Sequence, residues 1–271
     1  MRKLISAMLC MTLGQLALAN TASAITYGGA PDAGEHPYVG LMVADDADGN
    51  PLWRCSGALV SDRLFITAGH CTEAPATRAT IWFEEDVQSG IPGNGYPYGG
   101  PTTVDGATYT HPDFVSSAFF LHDLGVVVLD EPVYLSEYAQ LPTLDLLDEF
   151  KNMRGPDYPT MVAVGYGLQK INPVFVEEQR VRLKAEVRVI GIKGVFGIPD
   201  DTSIKLSNNN NTGGTCFGDS GGPEFYRDTK IIGAVTSFGI NGNCAGTGGG
   251  YRLDKPDDLD WLYSTFGAYL P

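Results

Sequence analysis

The chain has 271 residues, 32 acidic against 18 basic, and a formal net charge of −14. Nucleic-acid binding needs a basic face to meet the phosphates, so that class is excluded. The length suits one large all-β unit of two packed sub-domains and is ample to bury a core.

Met1-Arg2-Lys3 leads into an apolar run from Leu4 to Ala19, and the small residues Ala22-Ser23-Ala24 follow. A basic start, a short apolar stretch and an A-x-A end read as a secretory leader spanning 1–24. Ala17-Leu18-Ala19 offers a second cleavage point. Thr12, Gly14 and Gln15 interrupt the run, which is too short for an anchor. The chain after it is expected to be soluble and secreted, in the medium or the periplasm. Cys10 falls in the leader. The remaining Cys55, Cys71, Cys216 and Cys244 admit three pairings and suit an oxidising compartment. With no C-x-x-C pair, a metal site is not expected.

Short apolar runs then recur between Gly and Pro clusters: 37–43, 57–68, 80–83, 124–129, 161–165, 181–190 and 231–237. This rhythm belongs to an all-β barrel or sandwich. The segment 181–189 alternates apolar and polar residues, as a strand with one wet face should. The Gly- and Pro-rich stretch 88–103 and the Asn-rich stretch 207–214 read as loops. Asn210-Asn211-Thr212 has the form of a glycosylation triplet and is taken as a polar loop. Glu84-Glu85-Asp86 lacks calcium-loop spacing and reads as a solvated face. The tail 256–270 predicts a helix. Asp254 is its expected cap, acidic residues load its first turn, and Leu259, Leu262, Tyr263 and Phe266 share one face.

Three segments carry chemistry, in this order: Thr67-Ala68-Gly69-His70-Cys71, then His122-Asp123-Leu124-Gly125 before an apolar run, then Gly218-Asp219-Ser220-Gly221-Gly222-Pro223. A serine hydroxyl is a weak nucleophile at neutral pH and needs a base within hydrogen-bond reach. Histidine, with a pKa of about 6.5, suits that task. Of the other histidines, His36 and His111 precede prolines in turn-like surroundings, and His122 should face away from Asp123 on an extended segment.

The order His, Asp, Ser and these flanks resemble the trypsin/chymotrypsin-like serine peptidase family, as a bacterial-type secreted member. The likeness covers nearly all of the chain after residue 24. It implies two six-stranded antiparallel β-barrels with the active site in the cleft between them. The N-terminal barrel would span about 25–145 and the C-terminal one about 146–255. A helix over 256–270 would dock on the second barrel. It implies His70 as base, Asp123 as its orienting carboxylate and Ser220 as nucleophile. Gly218 and Ser220 would supply the oxyanion-hole N–H groups. Asp219 would pair with the free amine of Ile25, exposed by leader cleavage. The start Ile25-Thr26-Tyr27-Gly28-Gly29 departs from the family's Ile-Val-Gly-Gly by one extra residue. The implied disulfides join Cys55 to Cys71 and Cys216 to Cys244.

The specificity pocket, by the same resemblance, comprises Gly214 on its floor with Thr215, Ser237, Phe238, Gly239 and Gly249 on its walls. Gly214 replaces the acidic residue that would select Lys or Arg, so cleavage after large apolar or aromatic residues is expected. Arg252 is placed outside the pocket. Protein or peptide substrates are the expected partners, with a protein inhibitor as a further class. No cofactor, no membrane contact after leader removal and a monomeric state are also expected. The alternative is a catalytically silent binding protein on a peptidase fold. An esterase of the Gly-x-Ser-x-Gly type needs the order Ser, Asp, His on a strand–turn–helix, which this chain lacks.

Overall fold

The computed structural model describes residues 29–118, 120–153, 155–172, 175–192, 201–209 and 212–271. The leader, Ile25 and the Asn210-Asn211 pair lie outside the described residues.

A two-residue strand β1 (Ala30–Pro31) precedes the first barrel. That barrel is built from β2 (Val39–Asp45), β3 (Pro51–Leu59), β4 (Leu64–Thr67), β5 (Arg78–Trp82), β6 (Thr103–Thr110) and β7 (Gly125–Leu129). It closes in the order β2-β3-β4-β7-β6-β5, so no edge is left unpaired. β2 is buried along its whole length. Its residues Val39, Leu41, Met42 and Val43 share a core with Phe65 of β4 and Trp82 of β5. Each such side chain contributes about 1.5–3 kcal/mol by leaving water.

The second barrel follows a long connection. Its strands are β8 (Thr160–Gly165), then, after the small hairpin β9 (Lys170–Asn172) and β10 (Phe175–Glu177), β11 (Leu183–Gly191), β12 (Ser203–Asn208), β13 (Pro223–Phe225), β14 (Ile232–Gly239) and β15 (Gly246–Arg252). They run β11-β12-β15-β14-β13-β8, and β8 pairs back onto β11 to close the ring, with β1 added alongside β11. β11 alternates buried and wetter positions, as its sequence requires.

The two barrels are tied together by a buried arginine just before β11. Arg182 donates to Asp32 at 2.9 Å and to the Val39 and Phe83 carbonyls of the first barrel at 3.1 and 3.0 Å. Both disulfides implied by the family resemblance are present, Cys55–Cys71 and Cys216–Cys244.

The C-terminal helix runs Pro256–Phe266, and a 3-10 turn takes over at Gly267–Tyr269. Three expectations about it need correction. The cap is Lys255 without a side-chain bond, because Asp254 is fully buried and accepts from Arg252 and the Leu147 N–H instead. Tyr263 is 56% exposed, leaving Leu259, Leu262 and Phe266 as the apolar face. That face meets the first barrel rather than the second: Phe266 packs edge-on against Tyr109 of β6 at 5.3 Å.

Candidate active site

His70 sits on a short helical turn, Gly69–Thr72, directly after β4. Asp123 immediately precedes Leu124 and β7, the strand paired with β4, so the fold brings the two residues together. Before it, His122 adopts φ of +51°, a conformation uncommon for a residue with a Cβ. The His122 ring turns the other way, stacked on His111 with centroids 5.0 Å apart.

Asp123 is fully buried. It accepts from the His70 backbone N–H at 2.9 Å and from His70 Nδ1 at 3.0 and 3.1 Å. A third donor is Ser237 of β14, whose hydroxyl reaches Asp123 Oδ2 at 2.5 Å across the barrel junction. A carboxylate can only accept, so Nδ1 carries the proton and Nε2 keeps its lone pair. Burial pushes the His70 pKa down, but the Asp123 charge and hydrogen bond outweigh it, and the net pKa lies above the ordinary 6.5.

Ser220 is half-buried. Its carbonyl accepts from the Ser56 N–H at 2.8 Å, next to Cys55, whose disulfide partner Cys71 follows His70. The nucleophile loop also presses on the strand before the histidine: a Cβ on Gly221 would fall 2.0 Å from Thr67 Oγ1. Among the described residues, the Ser220 hydroxyl makes no hydrogen bond to His70. Such contacts tighten when substrate binds.

Gly218 has φ of +95°, and a Cβ there would strike the Arg54 guanidinium at 2.6 Å. Glycine is therefore required on two counts. Its carbonyl is turned away and held by the Ser56 hydroxyl at 2.8 Å. Neither the Gly218 nor the Ser220 N–H is taken up by another described residue, whereas those of Asp219, Gly221 and Gly222 are. Asp219 is buried and accepts from the Gly167 N–H at 2.7 Å and the Cys216 N–H at 2.9 Å. Burial raises its carboxyl pKa to about 6 in spite of these donors.

Beside Ser220 lies a cavity of about 150 Å³, lined among others by Thr215, Phe217, Thr236, Ser237, Phe238 and Gly239. None of its lining side chains is charged. Gly214 and Gly249 do not line it. Gly214 is packed against Asn208, and Gly249 lies beneath the Phe238 ring, where a Cβ would be 2.2 Å from a ring carbon. Arg252 is fully buried among Asp148, Asp201 and Asp254, away from the lining residues. The role of Ser237 as an Asp123 donor, unlike its place in the wall, was not read from the sequence. A serine beside a strand bulge gives no local signal of a partner 114 residues away.

No cofactor is implied by these side chains. Cys55 and Cys71, which lie close to His70, are joined to each other and cannot ligate. His111, Asp113, His122, Asp257 and Asp258 form two overlapping groups behind Asp123. His111 Nδ1 already accepts from the Asp113 N–H at 3.2 Å, and Asp258 accepts the Tyr251 hydroxyl at 2.9 Å.

The chain matches the Trypsin family model over residues 25–253. A chymotrypsin of Phaedon cochleariae is 30% identical over 194 residues, covering 69% of this chain and 63% of that protein. Brachyurin of Leptuca pugilator is 26% identical over 241 residues, with 85% and 93% covered. Phenoloxidase-activating factor 3 of Holotrichia diomphalia is 25% identical over 249 residues, with 85% and 69% covered. Among solved structures, HL collagenase superposes with a TM-score of 0.69 at 21% identity, covering 90% of this chain and 98% of the other. Human heparin binding protein gives 0.62 at 17% identity, with 89% and 96% covered. At these identities the structural likeness is one of fold.

Proposed function

Because this chain belongs to the trypsin family, we propose that it is a secreted serine endopeptidase acting through Ser220, His70 and Asp123. In this reading His70 Nε2 takes the Ser220 hydroxyl proton as Oγ attacks the scissile carbonyl carbon. The oxygen becomes an anion and is met by the Gly218 and Ser220 N–H groups, each such donor worth roughly 3–4 kcal/mol. His70 then gives its proton to the leaving amine, an acyl-enzyme remains on Ser220, and water attacks it by the same route in reverse. Asp123 holds the imidazole tautomer and stabilises the imidazolium. Ile25, freed by leader cleavage, would bring an ammonium to the buried Asp219 carboxylate, to which no cation is bonded among the described residues. The protein is read as a monomer acting on protein or peptide substrates.

The observation that carries this reading is the buried Asp123 carboxylate, which binds His70 at both its backbone N–H and Nδ1. The uncharged cavity beside Ser220 supports cleavage after large apolar or aromatic residues rather than Lys or Arg. The test is turnover of chromogenic peptides by the secreted protein, with its first residue sequenced. Cleavage is expected from protein starting at Ile25, and Ser220→Ala should lower kcat by on the order of 10⁶. Cleavage that survives Ser220→Ala would sink the assignment, and a start at Asn20 would sink the Ile25–Asp219 pairing.

A further inference from the structure

Arg54 belongs to none of the motifs above. It stands in β3, directly before Cys55, and keeps 12% of its side chain in solvent. Its Nη1 donates to Glu178, which follows β10. Nε is buried and has no hydrogen-bond partner. Nη2 makes no hydrogen bond to a described residue, so it is the donor left for a ligand. A guanidinium is the side chain best matched to a carboxylate.

This guanidinium lies against the candidate oxyanion site. A Cβ on Gly218 would be 2.6 Å from Arg54 Nη2. Two bonds separate that Cβ position from the Gly218 nitrogen, so Nη2 lies within about 6 Å of it. The Arg54 charge is felt in the same loop, where it opposes the rise that burial imposes on the Asp219 carboxyl. Arg54 also stands on the leaving side. In the peptidase reading His70 gives its proton to the leaving amine, so the segment after the cleaved bond passes near His70. Cys71, which follows His70, is joined to Cys55, and Trp53 Nε1 donates to the Cys71 carbonyl at 2.9 Å. The uncharged cavity, by contrast, is lined by residues of the second barrel and takes the acyl side.

The charge around Arg54 is unbalanced. Glu178 Oε1 also accepts from Arg180 Nη2 at 3.2 Å, so one carboxylate faces two guanidinium groups. Arg180 is held further by Gln88 Oε1 at 2.8 Å and lies over the Tyr96 ring. This local positive excess stands in a chain whose net charge is −14. We propose that Arg54 is a specificity-determining residue whose Nη2 binds the carboxylate of an Asp or Glu within the first two residues after the cleaved bond. The inference rests on the peptidase reading and deepens it: the cavity selects the residue before the bond, and Arg54 selects among those after it. A substrate carboxylate supplies the counter-ion that the pair of arginines lacks, whereas a Lys there adds a third cation.

The test uses the secreted protein and internally quenched peptides with Phe before the cleaved bond. They carry Glu, Gln or Lys at the first or the second position after it. At one of these positions kcat/KM for Glu should exceed that for Gln by roughly three- to tenfold, with Lys slowest. Salt at about 1 M should shrink the ratio. Arg54→Gln should bring the ratio of Glu to Gln to about one, and Arg54→Lys should keep part of it. Equal rates for Glu and Gln at both positions overturn the inference, as does a preference for Lys. A loss in Arg54→Gln that is the same for every peptide marks a purely structural role and also overturns it. The peptide series on the unaltered protein and on Arg54→Lys stays readable if Arg54→Gln misfolds. If no peptide is cleaved, the peptidase reading falls by itself. Calorimetry on the same protein then decides the inference: Glu peptides must bind more tightly than their Gln counterparts, and equal affinity overturns it.

Discussion

At the residue scale, the chemistry turns on how Asp123 is held. Its three donors come from His70, twice, and from Ser237. The raised His70 pKa has opposite consequences for activity and stability. The base must be neutral, so kcat/KM should fall on the acid side with an apparent pKa above 6.5. The folded-state pKa exceeds the unfolded one, so the stabilising contribution is fully present below 6.5 and is lost as pH rises through the folded value. Ser237→Ala removes a hydrogen bond to a buried charge, worth about 1.5–3 kcal/mol. The pH–rate profile of that variant should show kcat lowered by roughly 10- to 100-fold, with the acid limb still tied to His70. An unchanged profile would mean that Ser237 does not support the carboxylate. His70, Asp123 and Ser220 were legible because each stands in a segment whose neighbours serve the same site. Ser237 as a donor was not, because its partner Asp123 stands in the other barrel and only the meeting of the two barrels brings them together.

At the scale of elements, strands with a strong apolar pattern could be read directly. The alternation in 181–189 became β11, and the apolar runs 80–83 and 161–165 became β5 and β8. The strands that were missed have the weakest patterns. β6 (Thr103–Thr110) and β12 (Ser203–Asn208) are largely polar. β15 contains four glycines and is held between β12 and β14 by their ladders. Its identity as a strand is a property of its neighbours. The C-terminal helix was legible from its period, but its partner was not, since an apolar face does not say which barrel it meets. Leu262 is fully buried on that face. Leu262→Ala should cost about 2–5 kcal/mol in denaturant unfolding. A loss below about 0.5 kcal/mol, the range of surface substitutions, would show that the helix is not docked as described.

At the scale of the whole molecule, the candidate site exists because two closed barrels are pinned together. The first supplies His70 and Asp123, the second Ser220, Ser237 and the pocket. Arg182 and Asp32 hold the junction with both side chains almost wholly buried. Such a pair stabilises chiefly by position: removing one partner strands a charge and costs about 3–5 kcal/mol. The two-barrel architecture itself followed from the family resemblance, whereas strand patterns alone admitted a barrel or a sandwich. The central claim, an activated Ser220, is tested most directly by labelling with a fluorophosphonate, which reacts with a serine only when a neighbouring base activates it. The expected result is a single adduct on Ser220, found by peptide mass spectrometry and lost in His70→Ala. A folded protein starting at Ile25 that takes no label, or takes it at another residue, would contradict the account.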